Sequence, residues 1–90
     1  MDAEQIFRLH YRGLLNPFTP VVVEYGMLGR GVAYELSRDE AGSLYGLTVV
    51  RYCPSTGSTQ ELRHLRYADR SLSAVRQRIL ALRDEIGQGR

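Results

Sequence analysis

The chain reads as one small α+β domain in which an antiparallel meander of three or four strands is flanked by an N-terminal and a C-terminal helix. Three observations predict it. The ends carry apolar residues at helical spacing, the middle alternates with a period of two, and short runs rich in Gly, Pro, Ser and Asp separate the segments. Ninety residues suffice for one hydrophobic core, so residues 1–90 are expected to form a single domain.

Over residues 2–14, Ala3, Ile6, Phe7, His10, Tyr11 and Leu14 recur at helical spacing, and Asp2 and Glu4 suit a helix N-terminus. Gly13 and Asn16-Pro17 end the helix, because Pro17 disfavours helical geometry at the residue before it. Pro17 and Pro20 bracket an extended connector. Residues 21–27 are β-branched and aromatic enough for a strand, and Gly29-Arg30-Gly31 reads as a turn. Val32, Tyr34 and Leu36 then alternate with Ala33, Glu35 and Ser37. After a polar connection at 39–43, a strand over 45–53 puts Tyr45, Leu47, Val49 and Cys53 on one face, and Thr48, Val50 and Tyr52 on the other.

A loop at 54–59 precedes a last strand at 60–67, where strict alternation sets Glu61, Arg63, Leu65 and Tyr67 opposite Leu62, His64 and Arg66. Neither set is cleanly apolar, as expected of a charge-guarded edge strand. Asp69 or Ser71 is placed to cap a final helix whose Leu72, Val75, Ile79, Leu82 and Ile86 step by 3, 4, 3 and 4, with Gly87 as its stop. That stripe must bury itself on one sheet face, which leaves the other face partly wet.

The chemistry is sparse. Cys53 is the single cysteine, so internal disulfides and multi-cysteine metal sites are excluded. All twelve basic residues are arginine, which removes lysine Schiff-base chemistry and the phosphate-loop lysine; a GC-rich coding bias suffices to explain the preference. Cys53, His10 and His64 lie far apart with no local signature, and Cys53 falls on the inward face of its strand, where thiols act as small hydrophobes. His10 sits on an apolar stripe as a hydrogen-bonded core histidine. The glycines at 26–31 precede a strand rather than a helix, so a phosphate cradle fails on context. No catalytic residue, metal ligand or cofactor site is expected, and the chain is read as non-catalytic.

No run is long and apolar enough to span a membrane, and the acidic start does not suit a secretory signal, so a cytoplasmic location is expected. Net charge is +2, divided as −2 over residues 1–45 and +4 over 46–90. Arg76 and Arg83 share one flank of the last helix and Arg78 the other, and no residue three or four positions from any of them is charged. These side chains therefore either reach acids on the sheet or serve a partner. The candidate partner-binding residues are Arg63, Arg66, Arg76, Arg78, Arg83, Tyr52 and Tyr67. A small module that binds another protein, as adaptor, inhibitor or accessory subunit, is the first expectation, with a homodimer plausible for so small a core. The alternative is a nucleic-acid-binding module, with Tyr34, Tyr45 and Tyr52 as stacking platforms among Arg51, Arg63 and Arg66. Convergence of these groups on one carboxylate-free surface would favour nucleic acid; neutralisation by Glu24, Glu35, Asp39 or Glu40 would favour protein.

Overall fold

A computed structural model describes residues 2–12, 21–38, 44–68 and 71–88, with side chains to residue 86. The expectations for Leu14, Pro17, the 39–43 connection and Asp69 lie outside the described residues. The order is α1 (Ala3–His10), β1 (Val21–Gly29), β2 (Val32–Arg38), β3 (Tyr45–Cys53), β4 (Ser58–Tyr67) and α2 (Leu72–Gln88). The strands form one antiparallel sheet in the order β1-β2-β3-β4, the meander that the short connections demand.

Helix α1 begins with a capping box. The Asp2 carboxylate accepts from the Gln5 amide and the Gln5 side chain accepts from the Asp2 amide, each at 2.9 Å. It ends at His10, three residues after Phe7. At the β1–β2 turn Gly31 adopts φ +72°, a left-handed conformation cheap only for glycine. Ser71 caps α2, its hydroxyl accepting from the Ala74 amide at 3.4 Å. Helix α2 continues to Gln88, so Gly87 lies inside it and does not stop it.

Two hydrophobic clusters lie on opposite faces of the sheet. Leu28, Val32, Leu36, Tyr45, Leu47 and Val49 pack under Val75, Ile79 and Leu82 of α2. Ala33 and Val50 pack under Ala3, Ile6 and Phe7 of α1. The face expected to stay partly wet therefore carries α1. One turn and a half of apolar side chains suffices to bury Ala33 and Val50 completely.

The main departure from strict alternation is a bulge in β4. Val49 pairs with Arg63 while Val50 pairs with Glu61, so Leu62 is the extra residue and every side chain before it changes face. Leu62 consequently joins Leu65 and Tyr67 on the α2 cluster, and Glu61 moves to the side of His64 and Arg66. The alternation expected from sequence is corrected at that position. Cys53 is corrected too. It keeps the parity of the α2 face but lies at the end of β3, at the start of the turn at 54–57, and is exposed.

Candidate functional site

The seven candidate residues do not assemble into one surface. Arg76 donates to Glu24 of β1 at 3.2 Å, and Arg63 donates to Glu85 of α2 at 2.8 Å. The Arg78 guanidinium lies 5.3 Å from the Tyr67 ring centre. Arg63, Arg76, Arg78, Arg83 and Tyr67 belong to the α2 side of the sheet, whereas Arg66 and Tyr52 belong to the α1 side. Tyr34 and Tyr45, the other proposed stacking platforms, are packed against the α2 cluster. A cleft of about 340 Å³ lies between Arg51, Leu62, Arg63, Glu85 and Ile86, but Glu85 neutralises one of its two arginines. Arg83 makes no hydrogen bond or ion pair among the described residues.

The two sheet edges differ sharply. β4 exposes Gln60, Glu61, Arg63, His64 and Arg66, charge that opposes pairing with another strand. β1 holds one charged residue, Glu24, and Arg76 engages it. Its Val21, Val23 and Met27 are 62%, 36% and 41% exposed, unusually open for apolar strand residues. Bulges fall between Val22 and Glu24 and between Met27 and Gly29, so the regular stretch is residues 24–27. Gly26 in that stretch has a packing reason. A side chain there would collide with the Tyr34 ring, which lies across the strand.

A second constellation escaped sequence reasoning. On the α1 face, Tyr25, Glu35, Thr48 and His64 pair directly across all four strands and form one polar row. Glu35 is 5% exposed. Tyr11, just past α1, donates to its Oε1 at 2.8 Å, and Tyr25 is its partner across the strands. Burial, then the hydrogen bond and the charge of Glu35, pushes the Tyr11 hydroxyl well above the usual tyrosine pKa, while Thr48 opposes the rise. Burial followed by Glu35 raises Tyr25 likewise. Thr48 Oγ1 lies 3.0 Å from His64 Nδ1. His10 is half-buried, with Nδ1 2.9 Å from Thr59 Oγ1, so the hydrogen-bonded histidine expected on this helix is placed at the rim. These contacts pin the end of α1 to the sheet at two points. Only the alternation around Glu35 hinted at the row, because its members meet through pairing between strands.

Among the described residues no group of three or more His, Cys, Asp or Glu is arranged to hold a metal ion, and no helix is long and apolar enough to cross a membrane. Comparison with protein-family models, curated proteins and solved structures finds no match, and the geometry alone carries the functional reading.

Proposed function

We propose that the protein is a non-catalytic module that binds another protein by accepting an extended segment of it as a fifth strand on β1. The contrast between the two edges carries the reading. A strand at the edge of a sheet presents unpaired backbone donors and acceptors, and soluble proteins ordinarily guard such an edge with charge. β4 is guarded; β1 offers Val21, Val23 and Met27 beside a short regular ladder. Main-chain hydrogen bonds would supply the affinity of such a strand and alternate side chains its specificity. The dispersal of the arginines over two faces, with Arg63 and Arg76 already paired, favours this reading over nucleic acid.

The test guards the open edge. Val23→Lys with Met27→Lys adds two charges at exposed positions, where substitution shifts stability by about 0.5 kcal/mol or less. In a pull-down from the source organism with and without nuclease, the partner should be retained by the parent and by Arg66→Gln, and lost by the β1 double variant. Retention by the β1 variant, or release by nuclease, would overturn the reading.

A further inference from the structure

A strand added to β1 has one neighbour besides the sheet, the near flank of α2. The Arg76–Glu24 contact identifies that flank. Arg78 over Tyr67 and Arg63 on Glu85 place the opposite flank along β4. From Arg78 to Glu85 the helix passes from Tyr67 back to Arg63, so α2 runs against β4 and with β1. Leu80 and Arg83 follow Arg76 at helical spacing on the near flank, Arg83 about 10 Å farther along the axis. Leu80 is 44% exposed, although Ile79 before it and Leu82 two places after it are buried in the core. Glu24, the only acid of β1, is occupied by Arg76, and Arg83 has no partner among the described residues. The channel wall is thus one apolar side chain followed by one uncommitted guanidinium, with the exposed Asp84, four places after Leu80, on the outer side of that flank.

This wall discriminates between occupants. A second copy pairing through β1 about a twofold axis would set the two α2 helices on the same face, near flank to near flank. Arg76 and Arg83 would then confront the same residues of the other copy, with no acid of β1 left to separate them. Like charges brought together across an interface oppose association.

We infer that the strand accepted by β1 belongs to a different protein, and that it presents an apolar side chain to Leu80 and, two residues away, an acidic one to Arg83. The spacing follows from geometry. Residues i and i+2 of a strand point to one face about 7 Å apart, close to the separation of side chains three apart on a helix. The inference rests on the strand addition proposed above, and its experiment separates the two.

The probes are two synthetic nine-residue peptides in which threonine alternates with valine and glutamate, or with valine and lysine. Each is titrated into the isotope-labelled full chain while the backbone amides of Val21–Gly29 are followed by NMR. The glutamate peptide should shift those amides and the Arg83 side-chain signal, and bind about tenfold more tightly than the lysine peptide, the worth of one or two surface ion pairs. Arg83→Glu should reverse the order without altering the melting temperature. Equal shifts at β1 from both peptides, or an order that Arg83→Glu leaves unchanged, would overturn the inferred chemistry and leave strand addition standing. If neither peptide shifts β1, strand addition falls with it. A mass that doubles with concentration in the parent alone, with β1 amides broadened, would make a second copy the occupant and overturn the inference.

Discussion

A carboxylate beneath a helix is tolerable only where a donor meets it, and at Glu35 the Tyr11 hydroxyl does so. Tyr11→Phe removes that donor while keeping the ring against Phe7, whose centre is 5.8 Å away. The variant should lose about 1–3 kcal/mol in denaturant unfolding, the cost of leaving a buried acceptor short of a donor. Its pH profile should change as well. Because Tyr11 and Tyr25 hold their protons more tightly in the folded chain than in the unfolded one, the stability they contribute is complete below about pH 10 and is lost as pH rises through the folded values. Tyr11→Phe should flatten that alkaline loss, measured as melting temperature between pH 8 and 12. Cys53 offers a second residue-scale check. Being exposed, it should react completely with a thiol reagent in the native protein without denaturant, and Cys53→Ala should leave partner binding intact.

At the scale of elements, α2 was the most legible part of the chain. Its apolar steps of 3 and 4 register one face, and Val75, Ile79 and Leu82 are buried there. Ile79→Ala should therefore cost about 2–5 kcal/mol, seen as a large drop in melting temperature. The alternation of β2 sorted its side chains between two faces, but Val32, Ala33, Glu35 and Leu36 are all buried, so the strand is covered on both sides and not on one. What alternation cannot announce is the face of α1: Ala33 and Glu35 read as a solvated set, yet a short helix from sixty places before α2 covers them. β4 was misread at Glu61 and Leu62 because a bulge is a backbone event that inserts one residue without a residue type to mark it. The open β1 edge was only partly legible. Its apolar run suggested a strand, but that it lies outermost follows from strand order, which pairing decides.

For the whole molecule, the acidic first half and basic second half are folded onto each other. Arg76 from the second half meets Glu24 from the first, so the asymmetry visible along the sequence is partly cancelled in space. The pair is half exposed at the arginine, and surface pairs contribute about 0–1 kcal/mol. Arg76→Gln should thus lower the melting temperature slightly, and Arg83→Gln should leave it unchanged; a large fall for Arg83→Gln would show that the fold uses it. Partner affinity should decline only shallowly with salt, since main-chain pairing and apolar contact dominate a strand-addition interface. A polyanion neutralised by several arginines would instead give a steep linear decline on logarithmic axes.

The polar row across the sheet has a directional consequence. A hydroxyl carries a single hydrogen. Thr48 Oγ1 and His64 Nδ1, 3.0 Å apart, must therefore agree on which of them donates: a protonated nitrogen makes the hydroxyl the acceptor, and a bare one makes it the donor. The direction of the Thr48 hydroxyl and the tautomer of an exposed imidazole are thus set together. A surface histidine ordinarily exchanges freely between its tautomers; this one should shift its ring-nitrogen resonances when Thr48→Val removes the hydroxyl.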